Sequence, residues 1–220
     1  MTSEVVRRAA DAIERLAQRH DRPLVAVDGP DAAGKTWLAD AVAAQLTAAV
    51  CRASIDGFHL PAKTRHRRGA LSAEGCYHDS FDYDAVIERL LVPFASGGDV
   101  VATSVFDYRF DEAREEIVRV SPRAVLLVDG VFLLRPELRE QWTCAIYLHV
   151  SEDVTMSRAL QRDVDSMGSP EAVIERYRQR YLPAQQLYRA EARPLESAHI
   201  VIDNSDVSRP RVVSWNPSGT

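Results

Sequence analysis

The feature that most constrains this chain is a loop that joins a short apolar run to a helical pattern. Residues 23–27 are apolar and predict a buried strand, and the residues after Thr36 have helical spacing. Between them, residues 29–36 read GPDAAGKT and fit the pattern G-x-x-x-x-G-K-[ST]. Glycines in this pattern allow a tight turn whose amide groups point at phosphate oxygens. We therefore expect the chain to bind a nucleoside triphosphate.

The residues of this loop have separate expected roles. Lys35 should reach the β- and γ-phosphates, and the Thr36 hydroxyl should ligate Mg²⁺. ATP is the expected nucleotide, and the sequence leaves GTP open. The positions expected to contact the nucleotide are Gly29, Asp31, Ala32, Ala33, Gly34, Lys35, Thr36 and Trp37.

Composition limits the remaining possibilities. The chain has 220 residues, of which 46% are hydrophobic, and its formal net charge of −5 argues against a nucleic-acid surface. Residues 1–20 form a charged amphipathic pattern rather than a secretion signal, and no apolar run is long enough to cross a bilayer. Three cysteines without metal-ligand spacing fit a reducing compartment. We expect a cytoplasmic protein that binds neither nucleic acid nor membrane, and its oligomeric state stays open.

Helical and extended patterns alternate along the chain, which predicts an α/β fold with a parallel sheet. A strand at residues 100–105 leads into a charged, hairpin-like segment at residues 107–120. Residues 1–204 are expected to form a single domain. The segment 205–220 is expected to be a loose C-terminal tail.

Two acids stand where strands are predicted to end. Asp56 and Asp129 each follow an apolar run and precede a glycine. Because strand ends converge on the ligand crevice of such a sheet, Asp56 could accept a proton from a substrate hydroxyl. Asp129 could hold Mg²⁺ directly or through water. An Asp-Gly turn without a ligand is the alternative for both.

The motifs taken together resemble the uridine kinase / phosphoribulokinase family. They are the phosphate loop, DGFH at 56–59, YHDSFD at 77–82, VDGV at 128–131, RY at 176–177, RYLPA at 180–184 and IDN at 202–204. The resemblance implies a three-layer P-loop NTPase fold, with a five-stranded parallel sheet flanked by helices and a short helical lid at about residues 158–170. It also implies transfer of the γ-phosphate of ATP to a hydroxyl of a small molecule, by default a nucleoside such as uridine or cytidine.

The resemblance carries roles onto individual residues. Asp56 matches the acid near the acceptor hydroxyl, and it joins Thr36 and Asp129 as a candidate metal ligand. In the lid, Arg158 would contact the nucleotide and Arg162 would stabilise the transferred phosphoryl group alongside Lys35. Candidates for acceptor contacts are Phe58, His59, Asp79, Phe106, Asp111 and Arg176. Asp79 is preferred to Asp82, because Asp82 also suits the N-cap of the helix that follows.

Departures from the family pattern fall on the acceptor side. Phe106 and Asp111 stand where uridine kinases have the tyrosine and the histidine that read the pyrimidine. Two lid arginines are missing, and Arg176 and Arg180 either replace them or lie on a solvated helix face. The basic segment 63–68 either meets an anionic acceptor or is a solvated loop. A sugar, a pantothenate-like acid or a specialised metabolite is therefore the alternative acceptor, and a non-catalytic nucleotide-binding regulator is the second class.

Overall fold

Eight strands form two separate sheets within residues 3–217, which the computed structural model describes. In chain order they are β1 (Leu24–Asp28), β2 (Val50–Ser54), β3 (Val100–Asp107), β4 (Glu112–Arg119), β5 (Val125–Gly130), β6 (Cys144–His149), β7 (Ile200–Asp203) and β8 (Arg211–Trp215). The larger sheet has the order β2-β5-β1-β6-β7-β8. Its first five strands are parallel, which confirms the predicted sheet, and β8 runs antiparallel to β7.

Strand β8 corrects the expectation of a loose tail, while residues 218–220 lie outside the described part. Arg211 forms an ion pair with Asp203 of β7 at 2.5 Å, and the guanidinium of Arg8 lies 3.9 Å from the ring centroid of Trp215. Only Val212 and Trp215 of β8 are half-buried, and its other residues are exposed. The segment therefore carries little of the apolar alternation by which an edge strand is recognised.

Helices cover both faces of the large sheet. They are α1 (Ser3–Arg19), α2 (Lys35–Ala43), α3 (Ala62–Arg65), α4 (Ala73–Asp79), α5 (Tyr83–Ala85), α6 (Val92–Ala95), α7 (Glu152–Arg162), α8 (Val164–Met167), α9 (Pro170–Arg176), α10 (Leu182–Ala192) and α11 (Pro194–Ser197). Of the helices in the described residues, none combines the length and the apolar character that crossing a membrane requires.

Two of the helices continue through a wider, π-helical turn. Helices α5 and α6 are joined by a π-helical segment, Val86–Leu91, and α9 and α10 by another, Tyr177–Tyr181. Each segment lies just before a proline, Pro93 or Pro183. A proline removes one backbone donor, and the wider π turn lets the helix continue past it instead of ending.

Successive side chains along the strands point to opposite faces of the sheet, and helices pack on both faces, which gives three layers. Val25 and Val27 of β1 pack with residues of α1 and α2 on one face of the sheet. Ala26 packs on the other face, with residues of α4, α10 and the 83–95 helix. Residues 158–170, the expected lid, lie in α7, α8 and the start of α9. They pack in a small, separate apolar cluster together with Val173 and Tyr177.

The second sheet is the antiparallel pair β3 and β4, which confirms the predicted hairpin and places it outside the main sheet. Its base is fixed to the turn after β2. The Ser104 hydroxyl donates to the carbonyl oxygen of Gly57 at 3.2 Å. A Cβ atom added at Gly57 would lie 2.9 Å from the Cβ of Ser104, so only glycine fits this approach.

The register of the large sheet brings three strand ends together. Asp129 on β5 pairs with Val27 of β1 and with Ser54 of β2. The loop after β1, the turn after β2 and the end of β5 therefore lie side by side at the carboxyl edge of the sheet. Ligands of open α/β sheets bind at this edge.

Candidate functional site

The loop at residues 29–34 has a backbone that only its glycines allow. Gly29 has φ +156°, and a Cβ atom there would lie 2.5 Å from the carbonyl oxygen of Leu148 on β6. Gly34 has φ +92° and precedes the first turn of α2. The amide groups of the loop and of this helix end thus gather at one point, which is the arrangement that binds phosphate.

Long-range hydrogen bonds brace this loop. The side-chain amide of Asn204 donates to the carbonyl of Ala33 at 2.8 Å. Arg158 donates to the carbonyl of Ala32 at 3.1 Å and to that of Asn204 at 2.7 Å, and burial lowers its pKa. The ammonium of Lys35 donates to the carbonyl of Pro30 at 2.7 Å. Arg158, expected to contact the nucleotide, is therefore engaged with the backbone of the loop in this structure.

An open cleft of about 530 Å³ lies beside the loop. Trp37 on its wall is 52% exposed, although it is a large apolar side chain. Gln161 also contributes to the wall and was missed, because a glutamine within a helical pattern gives no separate signal. The lining residues are Ala32, Gly34, Lys35, Thr36, Trp37, Arg158, Gln161 and Arg162.

Thr36 and Asp129, the two residues expected to hold Mg²⁺, are in direct contact. The Thr36 hydroxyl donates to Oδ2 of Asp129 at 2.6 Å, and Asp129 is almost fully buried. Arg52 of β2 binds the other carboxylate oxygen at 2.8 Å and also binds Asp40. A hydroxyl and a carboxylate are the oxygen donors that Mg²⁺ prefers. Arg52 was missed, although an arginine inside an apolar strand is a signal that could have revealed it.

Asp56 lies in the next turn along this edge. The residue is exposed in the first turn of a 3₁₀ helix, Ile55–Phe58, and its amide donates to the Ser54 hydroxyl at 3.4 Å. Burial raises the pKa of Asp31 in the phosphate loop, and the negative charge of Asp56 raises it further. At His59, burial lowers the pKa, and the charge of Asp56 opposes that lowering. Asp56 thus stands between the phosphate loop and the residues expected to contact the acceptor.

The aromatic contacts on the acceptor side differ from the expected ones. Phe58 is fully buried and Phe106 nearly so; both were expected to meet the acceptor, and the structure places both in the interior. The ring of His59 instead lies 4.5 Å from Phe81 and 4.5 Å from Tyr108. Burial lowers the pKa of His59. Tyr108 was missed, although it lies only two residues beyond Phe106.

Two carboxylates expected to hold the acceptor are engaged elsewhere. Asp79 is buried and binds Arg67 at 2.5 Å and Arg68 at 2.8 Å, and the hydrogen bond from Arg67 lowers its pKa. Asp111, with φ +54°, accepts from the amide of Ala62 at 2.7 Å and from Arg65 at 3.2 Å. In this structure both carboxylates are bound by arginines of the segment 63–68, although 44% of the Asp111 side chain stays exposed.

Asp82 and the pair of Arg176 and Arg180 were also candidates, and the structure gives them different environments. Asp82 is the N-cap that the sequence indicated, since its side chain accepts from the amide of Ala85 at 2.9 Å. Arg176 is exposed on its helix, whereas Arg180 is buried and donates to backbone carbonyls. Only Arg176 therefore remains a candidate for replacing a lid arginine.

Arg162 is held in place on the wall of the cleft. Its guanidinium binds both oxygens of Asp163, at 2.6 and 3.0 Å, and lies 3.2 Å from the hydroxyl of Tyr177. The hydrogen bonds to Asp163 raise its pKa. A guanidinium fixed in this way needs little reorganisation to meet a phosphoryl group.

Asp28 is a buried acid directly beneath the loop, and no sequence motif singled it out. Its carboxylate accepts hydrogen bonds from the Gly29 amide at 2.6 Å and from the Tyr188 hydroxyl. Burial raises the pKa of Asp28 to about 6. An acid at the end of a fully apolar strand is unusual, and this pattern in the sequence could have indicated a buried carboxylate.

Comparisons with known proteins identify relatives of this chain. A uridine kinase from Clostridium botulinum (strain 657 / Type Ba4) is 31% identical over 103 residues, which cover 45% of this chain and 48% of that protein. The chain thus spans about half the length of such curated relatives. A uridine kinase from Ligilactobacillus salivarius (strain UCC118) is 22% identical over 174 residues, or 76% of this chain and 80% of that protein.

Solved structures share the fold. A possible uridine kinase from Bacillus stearothermophilus has a TM-score of 0.67 at 20% identity, covering 88% of this chain and 98% of that one. A protein provisionally named fructose transport system kinase, from Silicibacter sp. TM1040, has a TM-score of 0.69 at 27% identity, covering 90% and 95%. The model of the Phosphoribulokinase / Uridine kinase family matches residues 24–208. The chain therefore belongs to the phosphoribulokinase / uridine kinase family.

Proposed function

We propose that this chain is a kinase that transfers the γ-phosphoryl group of ATP to a hydroxyl of a small molecule. One observation carries the proposal. The phosphate loop, the Thr36–Asp129 hydrogen bond and the exposed Asp56 lie at the same edge of the sheet, beside a cleft that Arg162 also lines. Donor, metal and acceptor functions are thus adjacent, as phosphoryl transfer requires.

On the donor side, the loop amides and Lys35 would bind the β- and γ-phosphates. Lys35 would exchange its present bond to the Pro30 carbonyl for a phosphate oxygen. Arg162 would add positive charge from the opposite wall of the cleft. Groups fixed before the reaction stabilise the charge of the transition state without further reorganisation.

Thr36 and Asp129 would hold the metal. The Thr36 proton is donated to Asp129, so the lone pairs of the hydroxyl oxygen stay available to a cation. Arg52 fixes the second carboxylate oxygen of Asp129 and thereby its orientation. Mg²⁺ bound there would neutralise charge on the β- and γ-phosphates.

Asp56 would orient the acceptor hydroxyl and take its proton. The hydroxyl oxygen forms a bond to the γ-phosphorus while the bond to the β–γ bridging oxygen breaks, and ADP leaves with that electron pair. Closure of residues 158–170 over the cleft would exclude water and limit ATP hydrolysis. The names of the relatives suggest uridine as the acceptor, the family resemblance adds cytidine, and both belong in the test.

A coupled assay of ADP release tests the proposal, with product masses measured over nucleosides, sugars and hydroxy acids. We expect at least one compound to stimulate ADP release and to gain one phosphoryl group. The Asp56→Asn variant should lower kcat by roughly 10²- to 10⁴-fold, the usual contribution of a general base. ATP binding should not change, and Asp11→Asn, at an exposed acid of α1, is the control. A chain that binds ATP but releases ADP with no compound would contradict the proposal in favour of a regulator.

A further inference from the structure

Positive charge on the acceptor side is unevenly neutralised. We call residues 63–68 the basic loop. Arg67 and Arg68 of this loop both bind Asp79, so their charges are compensated. Lys63 is exposed to solvent. Arg65 differs, because its side chain is only 13% exposed and turns toward the interior.

Arg65 has unused hydrogen-bonding capacity. Its one carboxylate contact is with Asp111, at 3.2 Å, and Asp111 lies at the tip of the β3–β4 hairpin with 44% of its side chain exposed. The Nε atom of Arg65 is buried and has no hydrogen-bond partner among residues 3–217. A buried donor without a partner destabilises the site, and an acceptor oxygen supplied by a ligand would remove that penalty.

Arg180, in the π-helical segment, is a second buried cation. It is 5% exposed, and its Nη1 atom donates to the carbonyls of Ala70 at 3.2 Å and Ser72 at 3.1 Å. Within the described part of the chain, no aspartate or glutamate forms an ion pair with it. Buried arginines are normally paired with an acid, because removing an uncompensated charge from water is costly.

Both arginines contact the segment that follows Asp56. Nδ1 of His59 lies 2.9 Å from the carbonyl oxygen of Asp56, and a few residues later Arg65 shares Asp111 with the amide of Ala62. Arg180 donates to the two carbonyls just past the basic loop. The two guanidinium groups therefore lie beside the residues that follow Asp56, where the acceptor of the proposed reaction would lie.

We propose, building on the proposed kinase function, that the acceptor carries a carboxylate or a phosphate group, which Arg65 and Arg180 bind while a hydroxyl of the same molecule lies at Asp56. The planar fork of a guanidinium matches the oxygens of both anions. A neutral nucleoside would leave both arginines uncompensated. The acceptor is therefore an anionic hydroxy compound.

Matched pairs of compounds test this assignment. Each pair joins an anionic compound to its neutral counterpart: glycerate and glycerol, ribose 5-phosphate and ribose, UMP and uridine, and pantothenate with the alcohol that lacks its carboxylate. We expect phosphorylation with a KM at least 10-fold lower for the anionic member of one pair. The pair that discriminates tells carboxylate from phosphate. Preference for the neutral members in every pair that reacts would overturn the proposal.

The Arg65→Gln variant isolates the arginine. It should raise the KM of the anionic acceptor by roughly 10- to 100-fold, which corresponds to one charge-assisted contact. The KM of ATP and the slow hydrolysis without acceptor should stay as in the wild type. Arg65→Lys should recover part of the loss, and Arg178→Gln, at an exposed arginine of the same π-helical segment as Arg180, should have no effect. An unchanged acceptor KM in Arg65→Gln would contradict the inference.

A binding measurement keeps the anion site testable if the kinase proposal fails. With Mg²⁺ and a non-hydrolysable ATP analogue filling the phosphate loop, titration calorimetry would follow malonate and, separately, sulfate. The wild type should bind one of them, and Arg65→Gln should bind it at least 10-fold more weakly. Equal affinities in the two proteins, or binding of neither anion, would overturn the site. Thermal unfolding of each variant shows whether it has folded.

Discussion

The donor half and the acceptor half of the site are built in different ways. The donor half is built on a backbone loop: Gly29 and Gly34 set its shape, and the side chains of Asn204 and Arg158 bind its carbonyls. The acceptor half is held by side chains from four separate segments, namely the turn after β2, the basic loop, the hairpin and the long helix from 170 to 192. The first half therefore suits the one chemical group proposed for it, triphosphate, whereas the second can be altered by single substitutions.

The two halves also differ in how their charges are balanced. On the donor side, Asp129 is matched by Arg52 and Arg162 by Asp163, while Lys35 and Arg158 donate to backbone carbonyls. On the acceptor side, Arg65 has one weak partner and Arg180 has none among the described residues. Charged groups held in place before the ligand binds favour a fast reaction, whereas a site with uncompensated charge favours selection among ligands.

Replacing Lys35 should have the largest effect and should disable both halves. In Lys35→Met we expect kcat to fall roughly 10³-fold, because one preorganised donor to the developing charge is lost. Hydrolysis of ATP without acceptor should fall to a similar extent. The measurement is ADP release with and without acceptor at saturating ATP. A variant that keeps hydrolysis but loses transfer would show that Lys35 serves the acceptor half instead.

Asp28 should impose a pH dependence on stability from beneath the donor half. In the folded chain it stays protonated up to about pH 6, whereas in the unfolded chain it ionises near 3.8. Between these values the folded chain holds the extra proton, so the free energy of unfolding should fall as pH rises from about 4 to 6. The loss is roughly 2 to 3 kcal/mol, complete above pH 6.

Urea unfolding of the wild type and Asp28→Asn at several pH values between 4 and 7.5 checks this expectation. Asparagine stays neutral, so the variant should lose this component of the slope. Asp21→Asn, at a side chain that is 90% exposed, should keep it. Equal slopes in the wild type and Asp28→Asn would show that Asp28 is ionised throughout this range in the folded chain.

The smallest expected effect belongs to the acceptor half alone. His59→Ala removes a ring in contact with Phe81 and Tyr108, and we expect the acceptor KM to rise about 10-fold. The KM of ATP should not change. His59→Phe should retain most of the packing, so it separates the ring from its nitrogen atoms. A rise in the KM of ATP would contradict the division into two halves.

The difference between the donor half and the acceptor half also explains which parts of the structure could be predicted from the sequence. The parallel sheet, the loop and the cap at Asp82 follow from local patterns of spacing and residue type, and the number of five parallel strands follows from the family resemblance. The ion pair between Asp111 and Arg65 joins residues 46 positions apart. Asp79 is neutralised by arginines of the basic loop, which no sequence motif connects with it. No local pattern specifies which of several partners a charged side chain will choose. Strand β8 was missed for the opposite reason, since its side chains are mostly exposed.

The close approach of Gly57 to Ser104 has a consequence for how relatives could exchange their acceptors. The turn that carries Asp56 and the base of the β3–β4 hairpin cannot shift independently, because no space separates them. A hairpin transplanted from another member would keep the proton acceptor in place only if a small residue stood at position 104. Variation in acceptor choice is therefore expected to accumulate at the hairpin tip, around Tyr108 and Asp111, while the root stays unchanged.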